Sequence, residues 1–421
     1  MHHFDYRDGA LHAEDVALAA IAEEVGTPTY VYSRATLTRH VRVFDEAFSG
    51  VDHLICYAVK ALSNQAVLSL LAKLGCGMDV VSGGELKRAL AAGCPADRIT
   101  FSGVGKTAAE LAQALDAGIL CFNVESEPEL RLLSEIAAAK GATAHVALRV
   151  NPDVDAKSHA KISTGSSETK FGVPIARARA VYAEAALLPG VEVAGVDMHI
   201  GSQITDLAPF EQAIARLVEF VGELRRDGHA IRHVDVGGGL GIPYRDAHTA
   251  PPLPVDYADM VRRLTRGIDA RLIFEPGRLI VGNAGVLLTR VIYVKEGADK
   301  IFVIVDAGMN DLIRPTLYEA YHEVWPVRRP AGNEPLVRAD VVGPVCETGD
   351  YLALGRDMPL PKAGDLLAVM SAGAYGATQS STYNSRPLVA EVLVDGARMA
   401  VVRPRPSVEE LLAQDRTPEW L

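Results

Sequence analysis

His53-Leu-Ile-Cys-Tyr-Ala-Val-Lys60 reads as a short buried β-strand that ends on a lysine, and it opens the rhythm that decides the fold. Seven further β-rich runs follow Leu54–Val59, at Met78–Val81, Ile99–Ser102, Leu120–Val124, His145–Val150, Val193–Ile200, His233–Val236 and Leu272–Glu275. Between them, apolar residues recur at three- and four-residue intervals in Asn64–Leu74, Glu85–Ala92, Ala108–Ala117, Glu127–Lys140 and Pro209–Asp227, which is the helical period. Gly93, Gly118, Gly141 and Gly228 follow four of these stretches, where a left-handed helix C-cap is expected. Eight βα units in series predict an α/β fold, a parallel sheet closed as a (β/α)8 barrel of the TIM type. A doubly wound open sheet is the alternative that the same alternation allows. The polar, aperiodic stretch Asn151–Gly172 interrupts the fifth unit; on the catalytic face such a loop can act as a lid.

Beyond about Gly285 the texture changes. Val286–Lys295, Ile301–Asp306, Arg338–Val342, Asp365–Met370 and Leu388–Val394 are β-rich without helices between them, and Pro and Gly cluster in the gaps. This predicts a separate antiparallel β domain. The first residues, with a β-like Phe4–Tyr6 and a helical Glu14–Val25, are expected to pack with it. The expected division is a barrel over 28–283 and a β-rich domain from 1–27 and 284–421.

Composition bounds the function. With 421 residues, 49% hydrophobic and 23% charged, the chain is long enough for two soluble domains. A net charge of −11, with no basic stripe, argues against a nucleic-acid partner. No apolar run has the length of a bilayer span, so no membrane partner and a cytoplasmic location are expected. Cys56, Cys76, Cys94 and Cys121 lie in or beside apolar stretches and read as small core residues; no Cys-x-x-Cys pair suggests a zinc site, and no metal is expected.

In (β/α)8 barrels the chemistry sits at the C-terminal ends of the strands. Here those ends carry Lys60; Asp79 with Ser82-Gly-Gly-Glu85; His199-Ile-Gly-Ser-Gln203; Asp235-Val-Gly-Gly-Gly-Leu-Gly241; and Glu275-Pro-Gly-Arg278. Apolar neighbours place the Lys60 amine at the mouth of a buried strand, where loss of water disfavours the ammonium and frees a nucleophile. Such a lysine can form a Schiff base with a carbonyl cofactor such as pyridoxal 5′-phosphate (PLP). Gly237–Gly239 is either a tight turn or a run of bare N–H groups that cradles a phosphate. His199 is either a core histidine or a flat partner for a planar ring. Glu275 either caps a helix or pairs with a protonated pyridine nitrogen, and Arg278 either complements it or grips a carboxylate.

Tyr57-Ala-Val-Lys60, His199-Ile-Gly-Ser-Gln203, Gly237-Gly-Gly239 and Glu275-Pro-Gly-Arg278, in this order, resemble the fold-type III PLP enzymes, the group of alanine racemase and the barrel-type amino-acid decarboxylases. Within the group the chain is most similar to the diaminopimelate decarboxylase family, over nearly its full length from Gly26-Thr-Pro-Thr-Tyr-Val-Tyr32 onward. Gly343-Pro-Val-Cys-Glu-Thr-Gly-Asp350 carries Glu after the Cys, where ornithine and arginine decarboxylases typically carry Asp. Arg314-Pro-Thr-Leu-Tyr318 and Ala372-Gly-Ala-Tyr-Gly376 resemble the same family.

The resemblance implies PLP held by Lys60, with His199 stacked on its ring and Glu275 on its pyridine nitrogen. It implies cofactor contacts from Asp79, Ser202, Gly238, Gly239, Gly277, Arg278 and Tyr375, and substrate contacts from Arg278, Arg314, Tyr318, Glu347 and Tyr375. Cys346 is the implied proton donor. The β-rich domain is implied to bring substrate-site and dimer-interface residues, with Cys346 and Glu347 reaching the site from the partner subunit of a homodimer. The implied reaction is decarboxylation of meso-2,6-diaminopimelate to L-lysine and CO2, the last step of lysine biosynthesis. A decarboxylase of ornithine, lysine or a carboxylated polyamine, a PLP-binding regulatory protein without turnover, and a racemase using Tyr375 remain the competing readings.

Overall fold

The computed structural model describes residues 2–155, 164–165, 170–245, 250–330, 332 and 334–421. The chain divides into two compact units, one of Met1–Arg39, Tyr244–His248 and Ile280–Leu421, the other of His40–Pro243 and Thr249–Leu279.

The second of these is the barrel. Its strands are β1 (His53–Ala58), β2 (Gly77–Val80), β3 (Ile99–Phe101), β4 (Cys121–Val124), β5 (Ala144–Asn151), β6 (Val191–Asp197), β7 (His233–Asp235) and β8 (Arg271–Phe274). Each pairs in parallel with its neighbours in sequence, and β8 returns to β1, so the ring is closed and the open-sheet alternative is excluded. The outer helices start where the sequence supplies acceptors for their first N–H groups. Ser82 Oγ accepts from the Glu85 N–H while the Glu85 carboxylate accepts from Val81 N–H, and Thr107 with Glu110 forms a full capping box. The four expected C-cap glycines all have positive φ, from +61° to +94°. Of the expected lid, residues 156–163 and 166–169 lie outside the described residues.

Residues in register on parallel strands share a face. The ladder runs from Leu54 to Ile273, Asp235, Asp197 and Arg149, and elsewhere pairs Asn123 with Ala147, and Asp79 with Ala58 and Thr100. Leu54, Cys56 and Ile273 pack together on that face, which is the barrel interior. The interior therefore grades from apolar and small residues toward the strands' N-terminal ends to Asp79, Asn123, Arg149, Asp197 and Asp235 at their C-terminal ends. Gly195 makes room for the buried His233, whose ring atoms would lie 2.3 Å from any Cβ there.

The other unit is the β-rich one. Its main sheet runs Tyr351–Pro359, Leu336–Val342, Ile301–Val305, Gly285–Glu296, Thr29–Ser33, Ala390–Asp395, Arg398–Arg403, with Leu366–Val369 branching onto Gly285–Glu296 and Val324–Pro326 onto Leu366–Val369. Antiparallel pairing dominates as expected, with parallel pairs where Ile301–Val305 meets Leu336–Val342 and Thr29–Ser33 meets Ala390–Asp395. The core comprises Phe4, Leu11, Leu18, Ile21, Val31, Val286, Leu288, Val392 and Val394, among others.

Two boundaries differ from the sequence reading. The barrel unit runs from 40 to 279 rather than 28 to 283, because Thr29–Ser33 is a central strand of the β-rich sheet, flanked by Gly285–Glu296 and Ala390–Asp395. The first helix begins at Leu18 rather than Glu14. Glu14 has φ +53° and spends its carboxylate on Ser33 Oγ, Ala35 N–H and Gly396 N–H, at 2.7–2.8 Å. Among the described residues no helix is long and apolar enough to cross a membrane.

Candidate active site

The expected cofactor residues of the barrel unit gather at the C-terminal end of its strands. Lys60 sits in the single helical turn that follows β1, and its Nζ lies 3.1 Å from Asp79 Oδ2. The amine is not stripped of water as its apolar neighbours suggested: the side chain is 37% exposed and held by an ion pair. Asp79 is fully buried, and among the described residues its other oxygen, Oδ1, has no hydrogen-bond partner.

The turn after β7 requires its glycines. Gly237 and Gly239 have φ of +71° and +108°. A Cβ at Gly238 would stand 2.2 Å from the Glu275 carbonyl oxygen, and one at Gly239 would stand 2.5 Å from that of Gly201. The turn is fixed at its base by the Gly237 N–H donated to Asp235 Oδ1 (2.9 Å), and the Gly238 N–H reaches His199 Nδ1 (3.1 Å). Protein packed around the His199 ring, reinforced by the positive charges of Arg149 and Lys60, holds its pKa well below the usual histidine value. The imidazole is therefore neutral, an acceptor at Nδ1 with faces able to lie against a flat ring. Gly277 packs on the end of β1, where a Cβ would meet Ala58 and Ala61 at 3.1 and 3.0 Å, and Arg278 donates to Ser202 Oγ (3.0 Å).

Glu275 follows β8 and is buried. It accepts from Ser102 Oγ (3.3 Å) and Asn123 Nδ2 (3.4 Å). Burial, then the acidic groups Asp235, Asp79 and Asp197, push its pKa well above the usual carboxylate range, with Lys60 opposing them. A cation placed against Glu275 would relieve that strain. Arg149 bonds Glu125 (3.0 Å) on the same interior face. Ser102, Asn123, Arg149 and Asp197 escaped the sequence reading. Ser102 follows β3 and Asn123 lies in β4, strands three and four residues long and too short to display an alternation of inner-face residues, and Arg149 and Asp197 lie near the ends of the longer, mostly apolar β5 and β6.

These residues suit PLP on three counts: an amine for the aldehyde, a side-chain-free turn of N–H groups for a phosphate, and a buried carboxylate that lacks a cation for the ring nitrogen.

The β-rich unit holds the remaining expected residues. Arg314 opens the short helix Arg314–Tyr318; it is buried, its guanidinium 2.9 Å from His322 Nε2 and 5.0 Å from the centre of the Tyr244 ring. The Tyr318 hydroxyl accepts from Gln379 Nε2 (3.4 Å). The loop Gly343–Asp350 is organised by its last residue, whose carboxylate accepts from the Val345 and Met309 N–H groups, each at 2.6 Å. At its tip Cys346 is exposed, its N–H directed to Asn384 Oδ1 (3.4 Å), and Glu347 accepts from the Tyr383 hydroxyl (2.5 Å). Tyr375 has φ +57°, and the following Gly376 is compulsory, since a Cβ there would stand 2.6 Å from the Tyr30 hydroxyl.

Residues 34–282 match the family described as pyridoxal-dependent decarboxylase, pyridoxal binding domain. The chain is 56% identical to the diaminopimelate decarboxylase of Pseudomonas aeruginosa, over 97% of this chain and 98% of that one. It is 52% identical to that of Zymomonas mobilis, over 99% of both. Among solved structures, the diaminopimelate decarboxylase of Helicobacter pylori complexed with L-lysine superposes with a TM-score of 0.90 at 41% identity, covering 94% of this chain and 98% of that one. On this full-length likeness the chain belongs to the diaminopimelate decarboxylase family of pyridoxal-dependent decarboxylases.

Proposed function

We propose that this protein decarboxylates meso-2,6-diaminopimelate to L-lysine and CO2, using PLP held on Lys60. The observation that carries the reading is the identity of 52–56% with diaminopimelate decarboxylases across almost the whole chain. Glu347 directly after Cys346 favours the same substrate over ornithine or lysine. Bound PLP supplies an electron sink for the pair left when a carboxylate departs as CO2.

The chain's own residues do the rest. Lys60 would hold the cofactor's aldehyde carbon and yield it to a substrate amine, with Asp79 placed to pair with the freed ammonium. Glu275 would pair with the cofactor's pyridine nitrogen and keep it protonated. His199, held neutral, would offer a flat face to the ring and shield it from water. The Gly238–Gly239 turn, Ser202, Gly277, Arg278 and Tyr375 hold the phosphate end. Arg278 and Arg314 grip the distal carboxylate, Tyr318 and Tyr375 line the substrate, and Glu347 takes the distal ammonium. A diamine precursor that lacks the distal carboxylate would bring no counter-charge to the two arginines, the kind of penalty by which sites reject near-isosteres. Cys346 delivers a proton to the carbon that lost CO2, completing a new C–H bond in place of the broken C–C bond.

The reading includes a homodimer in which Cys346 and Glu347 serve the partner's site, and a cytoplasmic location in keeping with five free cysteines. Purified, PLP-loaded protein should release CO2 and lysine in equal amounts from meso-diaminopimelate and leave L-ornithine and L-lysine untouched. Turnover of ornithine at a comparable rate, or none of diaminopimelate, would sink the proposal.

A further inference from the structure

Asp197, Asp235 and Glu275 are buried, and one carboxylate oxygen from each lies within 4.8 Å of the others. Three ionised carboxylates cannot share so small a dry space, because each is stripped of water and repelled by the other two. The cations on this face are paired elsewhere, Arg149 with Glu125 at 3.0 Å and Lys60 with Asp79 at 3.1 Å. The hydrogen-bond count gives the same answer. Asp235 Oδ1 accepts from Gly237 N–H, but among the described residues Asp235 Oδ2 and Asp197 Oδ1 find no donor. Asn123 is an independent witness: it is fully buried, its Nδ2 lies on Glu275, and its Oδ1 likewise has no donor. Acceptors outnumber donors, and the one source of further donors among these side chains is protonation of the carboxyls themselves.

We propose that Asp235 is a neutral carboxyl whose O–H is a hydrogen-bond donor within this group, making it the positioning residue that keeps Glu275 ionised and aimed at the pyridine nitrogen. The assignment rests on the reading of Glu275 as the ring's partner. Asp235 is preferred over Asp197 because Asp197 lies in register beside the cationic Arg149, whereas the register neighbours of Asp235 are Asp197 and Ile273. Burial, then Asp197, raises the pKa of Asp235 well above the usual range, while burial, eased by Arg149, raises Asp197 to about 7. Glu275 is raised as well, and a pyridinium against it, as the reading of Glu275 requires, leaves Asp235 to keep the proton. The other groups facing Asp235 are Asp79, Cys56, Cys121 and Tyr257; burial pushes the two thiols and the phenol up, so those three bring no charge.

The test uses Asp235→Asn, which keeps shape and supplies a permanent donor, and Asp235→Val, which supplies none. A carboxyl whose folded pKa exceeds its unfolded value of about 3.9 stabilises the fold at low pH, and that stability is lost as pH rises toward the folded pKa. Above about pH 6.5, where His233 and His199 are neutral in both states, the full chain without cofactor should therefore melt at steadily lower temperature as pH rises to 8. Asp235→Asn should flatten that fall by several degrees. With cofactor bound, Asp235→Asn should keep the PLP absorbance spectrum and most of kcat, while Asp235→Val should weaken PLP binding at least tenfold. Equal damage by Asn and Val, or a melting slope in Asp235→Asn parallel to wild type, would overturn the proposal. So would stabilisation of the wild type by magnesium or manganese that Asp235→Asn loses, since the group would then hold a cation. The cofactor-free melting series reports on the Asp235 proton whether or not diaminopimelate proves to be the substrate, so the two readings fail separately.

Discussion

Replacing Gly238 by alanine tests the phosphate turn at its tightest point. The new methyl would sit 2.2 Å from the Glu275 carbonyl oxygen, where ordinary contact begins at 3.4 Å, so backbone must move by about 1.2 Å. Neither side can yield cheaply. The Glu275 N–H is bonded to Gly237 O (2.9 Å), and the turn is held by Asp235 and His199. Overpacking of this kind costs about 1–3 kcal/mol of stability, or a fall in Tm on the order of 5 °C. The same movement carries the Gly238 and Gly239 N–H groups off a bound phosphate. Losing one charge-assisted hydrogen bond costs about 1.5–3 kcal/mol, so PLP affinity should fall roughly ten- to hundredfold. Gly84→Ala is the matched control, because its Cβ would meet only Ser82 Oγ at 3.7 Å within the helix Gly83–Ala91; there alanine should raise stability by about 0.5–1 kcal/mol. PLP is titrated into cofactor-free protein and followed by absorbance, with Tm measured in parallel. Wild-type PLP affinity in Gly238→Ala would refute the phosphate turn, and wild-type Tm would refute the clash.

Three further outcomes follow from particular side chains. Lys60→Ala should abolish the visible absorbance of lysine-bound cofactor and bring turnover below detection; full activity would remove Lys60 from the mechanism. Glu347→Asp draws the carboxylate back by one methylene, and loss of one hydrogen bond to a charged group should lower kcat/KM for diaminopimelate roughly tenfold or more, with unchanged kinetics counting against Glu347 as the specificity residue. Burial, reinforced by Arg232 and His145, lowers the His233 pKa to about 4, so the folded barrel refuses a proton that the unfolded chain accepts near pH 6.5. Stability is therefore lost as pH falls from about 6.5 to 4, by roughly 3 kcal/mol at most; His233→Leu should flatten the acid limb of a Tm–pH curve, and an unchanged limb would place the acid sensitivity elsewhere.

The eight barrel strands were legible because a strand covered on both faces reads as a plain apolar run, and each such run is followed by a helical period. The glycine turn and the motifs at Lys60, His199 and Glu275 were legible because unusual residues cluster where strands end. What escaped has a common physical cause: the deciding partner is remote in sequence. Thr29–Ser33 reads as the approach to the barrel, yet its ladder partners begin at Gly285 and Ala390, and only pairing across more than 250 residues makes it a β-domain strand. Glu14 continues a helical pattern until its carboxylate is claimed by Ser33, Ala35 and Gly396. The acidic interior is the sharper case. Asp197 and Asp235 each look like ordinary polar strand ends, and their chemistry arises only when closure of the ring sets them in register and brings Glu275 beside them. Spacing along the chain reports which residues share an element. The protonation of a group is fixed by charges that arrive from other elements, and that is why the site's electrostatics, unlike its motifs, had to be read from the folded barrel.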